Sequence, residues 1–177
     1  MHQDLTYWGL GAIDGLVTVW IALSPATPAS GCMEFVRGSH KNPILPHDDS
    51  DDPNNLHSRG QEIQVEVSPA DCTTIEIHPG QMSLHHGLTI HGSGPNSSED
   101  RRIAAVIRYV RPDVVPDNGV KDFGMLVRGR NACGNFIDYP PPVADFDPDA
   151  LARFDDIRRE QAKIKMAGAP ASSGMYG

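Results

Sequence analysis

Histidine, aspartate and arginine occur in this chain at spacings that suit a metal ion and an anionic ligand. Near the start, His2 and Asp4 form an H-x-D sequence, and residues two apart on an extended segment project to the same side of the backbone. With one distant histidine, such a pair completes the two-histidine, one-carboxylate set that leaves open positions on iron(II). The short motif alone is weak evidence, because a chain with 8 histidines contains such spacings by chance.

The stretch from His85 to Arg102 supplies candidates for the missing histidine and for a cation. It contains His85, His86 and His91, then a Gly-Ser-Gly-Pro-Asn turn, then Arg101 and Arg102. A guanidinium can hold a carboxylate through two parallel hydrogen bonds. Strand alternation lets only one of the two arginines point inward. The residues alone therefore leave three histidines and two arginines open.

Short β-strands separated by turns must position these groups. Residues 15–23, GLVTVWIAL, are apolar on both alternating sides, which predicts a central strand covered on both faces. Further strands are predicted at residues 31–38, 61–67, 72–78, 81–86, 102–110 and 124–129. One helix is predicted after Asp147, with Pro148 in its first turn and its end at about Lys165. The fold class is all-β with one C-terminal helix, a sandwich, jelly roll or small barrel.

Composition narrows the classes of protein. A length of 177 residues favours a single domain, which we place at residues 1–166, with 167–177 as a disordered tail. The net charge of −8 argues against nucleic acid and anionic membranes as partners. The 3 cysteines form no disulfide framework, so a cytoplasmic location is expected. A small molecule is the expected partner.

Taken in order, the motifs resemble the phytanoyl-CoA dioxygenase family of iron(II)- and 2-oxoglutarate-dependent oxygenases. The resemblance rests on the H-x-D at His2, a distal His91 within HGSGPN, and Arg102 eleven positions further on. GCMEFVRGSHK (31–41), HPGQMSLHHGLTIHGSGPN (78–96) and LVRGRNACGNF (126–136) also look like segments of the family. The resemblance covers about residues 2 to 160 and implies a double-stranded β-helix, the cupin-like jelly roll.

The family pattern, carried over to this sequence, assigns roles to six residues. The implied iron ligands are His2, Asp4 and His91. The residues implied around 2-oxoglutarate are Arg102 at its distal carboxylate, Trp20 beside it and Ser93 as a nearby hydroxyl donor. Because Asp4 retains the carboxylate that halogenating relatives replace with a small residue, the resemblance favours hydroxylation over chlorination.

The resemblance implies hydroxylation of a small organic substrate with iron(II), 2-oxoglutarate and O2, giving succinate and CO2 as co-products. The protein would hold the metal with open positions and place the C–H bond, while the cofactors supply the reactivity. Two alternatives stay open. One is a non-catalytic jelly-roll fragment or binding module; the other is a cupin-like metalloenzyme that uses the same ligands without oxoglutarate.

Family members carry a further segment before the H-x-D, with helices and the first strands of the barrel. We therefore expect a jelly roll that is incomplete at the N-terminus, whose exposed sheet edge favours a homo-oligomer.

The remaining histidines are assigned to structural or surface positions. His40 is expected to make local hydrogen bonds. His47 and His57 lie in the polar stretch 39–60 with the acid run at Asp48–Asp52, and we expect a solvated surface loop there.

Overall fold

The structure, a computed structural model, describes residues 1–10, 14–48, 62–117 and 119–166. Within these residues it contains ten β-strands, three short 3-10 helices and one α-helix. The strands are β1 (Leu16–Ala22), β2 (Met33–Val36), β3 (His47–Asp48), β4 (Glu62–Ile63), β5 (Cys72–Ile75), β6 (Met82–His85), β7 (His91–Ser93), β8 (Ala104–Val110), β9 (Phe123–Gly124) and β10 (Ile137–Asp138). The helices are 3-10 turns at Asp4–Tyr7, Ser39–Lys41 and Pro69–Asp71, and α1 (Pro148–Met166).

The chain packs as two compact units. Among the described residues, the first comprises 1–6, 14–48 and 62–110, and the second comprises 7–10, 111–117 and 119–166. Strands β1 to β8 belong to the first unit, whereas β9, β10 and α1 belong to the second. A single domain over residues 1–166 stays a prediction, and the tail expected at 167–177 lies outside the described residues.

Two antiparallel three-stranded sheets form the frame of the first unit. Their strand orders are β6-β1-β8 and β5-β2-β7. Successive strands cross between the sheets, since β1 leads to β2 and the run β5, β6, β7, β8 changes sheet at each step. Such crossing connections characterise a jelly roll, in which both sheets contribute one face to a shared core.

The core between these sheets is built from alternating inward residues. Trp20 and Ala22 of β1 pack with Met33, and Phe35 and Ile75 complete the cluster from the second sheet. Burying this many apolar side chains is the main stabilising contribution, at roughly 25 cal/mol for each Å² removed from water. The inward face of β1 therefore points at the inward face of β2.

Facing residues across the first sheet determine which side chains share this interior. Thr18 lies opposite His85 of β6 and Arg108 of β8, and two positions further on Trp20 lies opposite Ser83. Directly opposed residues in an antiparallel pair project to the same face. Thr18, His85 and Ser83 therefore line the interior beside the apolar core, whereas Arg108 is exposed on the same side of the sheet.

The outward face of the same sheet is apolar and largely open among the described residues. Met82, Leu84, Ile107 and Tyr109 are each at least 40% exposed, while Val19 between them is buried. The prediction that β1 is a central strand is confirmed, but the cover expected on both faces is incomplete, since Val17 and Ile21 on its outward side are only partly buried. Its outward neighbours on β6 and β8 remain exposed.

Two local predictions have different outcomes. The strand expected at 61–67 does not extend past Ile63 among the described residues, because β4 ends opposite His47, the first residue of its antiparallel partner β3. The acid run from Asp49 onward falls outside the described residues.

The helix forms as predicted, and the backbone N–H of Asp149 donates to Oδ1 of Asp147 at 3.1 Å, which caps α1. No helix within the described ranges is long and apolar enough to cross a membrane.

Candidate metal centre

The H-x-D segment pairs directly with the strand that carries the distal histidine. The backbone N–H of His2 donates to the carbonyl of His91 at 2.9 Å, and the N–H of His91 donates back to His2 at 3.0 Å. A further bond from the N–H of Leu5 to the carbonyl of Gly87 extends the contact. The rings of the two histidines lie 4.3 Å apart, and both residues are buried. Backbone pairing therefore brings together two residues that are far apart in sequence.

Asp4 completes a cluster of three donors. Its Oδ1 lies 3.6 Å from Nε2 of His2 and 3.7 Å from Nε2 of His91. Two donors at right angles around an ion, each about 2.1 Å from it, are roughly 3.0 Å apart, so a small contraction would let all three bind one ion. Among the described residues, His2, Asp4 and His91 form the group whose donors, all within 4.8 Å of one another, could hold a metal ion.

The orientation of His91 fits a metal ligand. Its Nδ1 lies 2.8 Å from the carbonyl oxygen of Thr89, and because that oxygen can only accept, Nδ1 carries the proton. The other nitrogen, Nε2, then has a free lone pair facing Asp4. Metal-bound histidines in proteins are commonly held in this way through their second nitrogen.

The protonation of the site also suits a cation. Burial would raise the pKa of Asp4, but the imidazoles of His2 and His85 and the charges of His91 and Arg108 outweigh burial and hold that pKa well below its ordinary value. Burial, together with His2, lowers the pKa of His91 to about 4 against the opposing effect of Asp4. At neutral pH the site thus contains a carboxylate and a neutral His91, the forms that bind metals.

The middle residue of the H-x-D anchors the segment. Gln3 is fully buried, and its Nε2 donates to the carbonyls of Leu88 at 3.0 Å and Pro43 at 3.3 Å. Its Oε1 accepts from the backbone N–H of Leu45 at 2.8 Å. The side chain therefore ties the two flanking ligands to two separate parts of the first unit.

His47 also belongs to this anchor, and its assignment to a solvated loop is wrong. Its Nδ1 donates to the carbonyl of Leu45 at 2.7 Å, and its Nε2 accepts the backbone N–H of Gln3 at 3.2 Å. The ring is partly buried, and burial lowers its pKa. The polar composition around His47 concealed this contact, which lies 44 residues away along the chain.

Arg102 lies in a second cluster with the other two predicted residues. Its guanidinium donates to Oγ of Ser93 at 2.9 Å and to the carbonyl of Gly31, and it lies 5.6 Å from the ring centre of Trp20. Arg101 is exposed instead. Of the two candidate arginines, Arg102 is therefore the one that joins Trp20 and Ser93.

Gly31 can only be glycine here without rearrangement. Its φ is +71°, and a Cβ at this position would lie 2.5 Å from the carbonyl oxygen of Gly94. The close approach allows its own carbonyl to reach Arg102.

The two clusters are joined along single strands. His91 and Ser93 are two residues apart on β7, as Thr18 and Trp20 are on β1. Residues two apart in a strand share a face and are separated by about 7 Å. The three metal donors and Arg102 therefore lie on the same inward surface.

The sequence alone left His85 and His86 open beside His91, and one of the two lines the site. His85 does so: it is buried, its Nε2 lies 3.6 Å from Oδ2 of Asp4, and its ring lies 4.9 Å from that of Phe35. His86 instead accepts the backbone N–H of Leu88 through Nδ1 at 3.1 Å. Residues not predicted are Thr18, whose hydroxyl donates to Oδ2 of Asp4 at 2.9 Å, and Arg108.

A cavity of about 320 Å³ lies elsewhere in the first unit. It is lined by Met1, Glu34, Val65 and Cys72 among others, and by none of the six predicted site residues. We therefore do not associate it with the metal centre.

Comparison with known proteins identifies the chain's relatives. A model of the phytanoyl-CoA dioxygenase (PhyH) family matches residues 1–104. A probable phytanoyl-CoA dioxygenase of Caenorhabditis elegans is 32% identical over 114 residues, which are 64% of this chain and 36% of that protein. A probable alpha-ketoglutarate-dependent hypophosphite dioxygenase of Stutzerimonas stutzeri is 30% identical over 135 residues, 73% of this chain and 47% of that protein.

A solved structure resembles most of the chain. The apo form of the non-heme monooxygenase ThoJ superimposes with a TM-score of 0.80 at 36% identity, covering 93% of this chain and 58% of that one. Its nickel complex gives a TM-score of 0.70 at 32% identity, with the same coverage. The predicted all-β jelly-roll class is confirmed by this likeness together with the two sheets.

The chain spans about half or less of the length of the curated relatives described above. The family match nevertheless includes all three residues of the metal cluster and Arg102. Because it covers more than half of the 177 residues, the chain belongs to the phytanoyl-CoA dioxygenase (PhyH) family, whose relatives here are non-haem 2-oxoglutarate-dependent oxygenases.

Proposed function

We propose that the protein is an iron(II)- and 2-oxoglutarate-dependent dioxygenase that hydroxylates a small organic substrate and releases succinate and CO2. One observation carries the proposal. His2, Asp4 and His91 converge, and Arg102 lies on the same inward surface, next to a residue two positions from His91. This arrangement suits a ligand that binds the metal at one end and has a carboxylate at the other.

Each residue of the chain has a role in this proposal. His2, Asp4 and His91 would hold iron(II) on one side and leave three cis positions open. Arg102 would bind the distal carboxylate of 2-oxoglutarate through its planar fork. When bound, iron and 2-oxoglutarate would supply the oxidising chemistry, in which O2 is consumed.

Two groups prepare Arg102 for this role. The ring of Trp20 lies beneath the guanidinium, and a cation over an aromatic face gains roughly 0.5–2 kcal/mol. The hydroxyl of Ser93 accepts one of its N–H groups. The guanidinium is thus oriented before any co-substrate binds, which reduces the entropy lost on binding.

Similar proteins support the proposal. The name of the S. stutzeri relative describes an alpha-ketoglutarate-dependent dioxygenase, and ThoJ has been solved with nickel.

The test is anaerobic addition of iron(II) and then 2-oxoglutarate to the full chain. We expect the weak visible charge-transfer band of the chelate to appear in the wild type. The His91→Ala variant should lose the band, because two donors are left for the metal. Succinate should then form when O2 and a substrate are supplied.

A matched pair of arginine variants tests the second cluster. Arg102→Ala should raise the 2-oxoglutarate concentration needed for the band by about 100-fold or more, since a bidentate charged contact contributes about 3 kcal/mol. Iron affinity without 2-oxoglutarate should stay near the wild-type value. Arg101→Ala, which removes the exposed neighbour, should change neither value.

Other results would favour the alternatives. No metal binding by the wild type would indicate a non-catalytic jelly-roll module. Metal binding with no response to 2-oxoglutarate, or equal effects of Arg101→Ala and Arg102→Ala, would indicate a cupin-like metalloprotein that does not use this co-substrate.

A further inference from the structure

The two carboxylate oxygens of Asp4 have different surroundings. Oδ1 faces the Nε2 atoms of His2 and His91, at 3.6 and 3.7 Å. Oδ2 points the other way, toward Thr18 and His85. One oxygen of the carboxylate thus faces the two predicted histidine ligands, and the other faces the wall of the site.

Thr18 is the nearer of the two wall residues. Its hydroxyl donates to Oδ2 at 2.9 Å, and the residue is only 1% exposed. It sits at the centre of β1, where the other inward residues are the apolar Leu16, Trp20 and Ala22. A buried hydroxyl among apolar neighbours has a cost unless it is hydrogen-bonded, and Asp4 provides the bond.

His85 approaches the same oxygen from β6. Its Nε2 lies 3.6 Å from Oδ2, and neither ring nitrogen has a hydrogen-bond partner among the described residues. The ring is held between Phe35 at 4.9 Å and His91 at 4.8 Å between centroids. Since β6 pairs with β1 so that His85 lies opposite Thr18, the sheet register brings both groups to one oxygen.

We propose that Thr18 and His85 are positioning residues that hold Oδ2 of Asp4, so that Asp4 gives only Oδ1 to the metal. The inference rests on the proposed function and adds an explanation of how the open coordination positions on the metal are kept. On an octahedral ion, two histidines and one carboxylate oxygen leave three positions, enough for a chelating 2-oxoglutarate and one further ligand. If both oxygens bound, the further position would be lost.

The alternative explanation is that Thr18 only fills space in the core. That explanation predicts that Val, which has nearly the same shape, serves equally well at position 18. Hydrogen bonds to metal-bound carboxylates instead affect the metal directly, and their loss usually costs 10- to 100-fold in affinity. The two explanations therefore differ in metal binding by the full chain.

The experiment titrates cobalt(II) alone into the full chain and follows its visible absorption, which reports both affinity and coordination number. Thr18→Val should weaken cobalt binding by about 10- to 100-fold and change the spectrum. Thr18→Ser, which keeps the hydroxyl, should stay within about 3-fold of the wild type. Val19→Thr makes the opposite exchange on the outward side of β1 and should leave both readouts unchanged.

His85→Phe provides a second variant that keeps a ring beside Phe35 but removes both nitrogens. We expect weaker cobalt binding and the same direction of spectral change as for Thr18→Val. If Thr18→Val does not fold, as judged by its circular dichroism in chelator, the His85→Phe and Thr18→Ser titrations decide the question.

The outcomes separate the two proposals. Wild-type affinity and spectrum in both Thr18→Val and His85→Phe would overturn the positioning role while leaving the metal centre intact. A wild type that binds no cobalt would overturn the metal centre and the positioning role together. Reduced affinity in His85→Phe and Thr18→Val, with Thr18→Ser near wild type, supports the inference.

Discussion

At the residue scale, some residues of the site can be recognised from their local sequence and others cannot. His2 and Asp4 are visible because an H-x-D places two ligand types at the spacing of an extended chain. Thr18 is hidden in an apolar strand, although it is the polar member of the inward set Leu16, Thr18, Trp20 and Ala22. A polar residue within this otherwise apolar inward set was the signal from which Thr18 could have been predicted.

Arg108 could not be found in the same way. It lies on β8, where it is exposed, and its effect on Asp4 depends on a register that pairs it with Thr18. Register is set by packing between strands distant in sequence, so spacing along one strand cannot reveal it.

The lowered pKa of His91 makes the stability of the metal-free protein depend on pH. In the unfolded chain His91 binds a proton near pH 6.5, whereas in the folded protein its pKa is about 4. Between these values the unfolded state binds more protons, so stability falls as the pH is lowered. Asp4, whose folded pKa is also depressed, adds a further loss in the same direction below about pH 4.

We expect the free energy of unfolding, measured in urea with a chelator present, to fall by about 2 kcal/mol between pH 7 and pH 5 through His91. In the His91→Gln variant this part of the dependence should disappear. The exposed His40→Gln variant should retain it. A wild-type stability that is the same at both pH values would contradict the buried, neutral state of His91.

At the element scale, the H-x-D segment is held beside β7 by one antiparallel bridge, and its last residue, Asp4, begins a 3-10 helix. Its backbone bonds join His2 to His91, and its side-chain anchor is Gln3. Strands β1, β2, β5, β6 and β8 fall within the predicted ranges, whereas the strand predicted at 124–129 is wrong beyond Gly124, the last residue of β9, and β7 was not among the predicted strands. The anchor was not predictable, because a glutamine between two ligands looks like any polar residue until its partners at Pro43, Leu45 and Leu88 are known.

We expect Gln3→Ala to destabilise the metal-free protein by about 2–4 kcal/mol, because three side-chain hydrogen bonds are lost and a buried space is left. Metal affinity should also fall, since both flanking ligands lose their support. Gln81→Ala, which removes an exposed glutamine with a bond to the N–H of His78, serves as the control and should cost less than about 1 kcal/mol. The measurement is urea unfolding followed by cobalt titration of each variant. Equal costs for the two variants would show that Gln3 is not an anchor.

At the scale of the whole molecule, one sheet presents an apolar outer face among the described residues. Met82 and Leu84 on β6, and Ile107 and Tyr109 on β8, are all exposed. Exposed apolar patches of several side chains favour association. The sequence led to the same expectation by another route, the open sheet edge.

We therefore predict that the wild-type chain self-associates in a concentration-dependent way in light scattering after size-exclusion chromatography. The double variant Leu84→Lys, Ile107→Lys places two charges on this face, on either side of Val19, and should shift the protein toward the monomer. Val143→Lys alters an apolar residue that is 91% exposed but lies in the second unit, and it should not. A monomeric wild type, or an equal effect of Val143→Lys, would count against this face.

The pairing of His2 with His91 has a consequence for how the molecule folds and unfolds. An ion held by both residues would act as a removable cross-link that closes a loop of 89 positions along the chain, and such links are worth more the longer the loop they close. Metal binding energy would then be folding energy for the segment from His2 to Asp4 and for β7 alike. Adding metal should slow hydrogen exchange at the amides of His2 and His91 together. The ion would then stabilise the pairing of these two segments in addition to its role in the site.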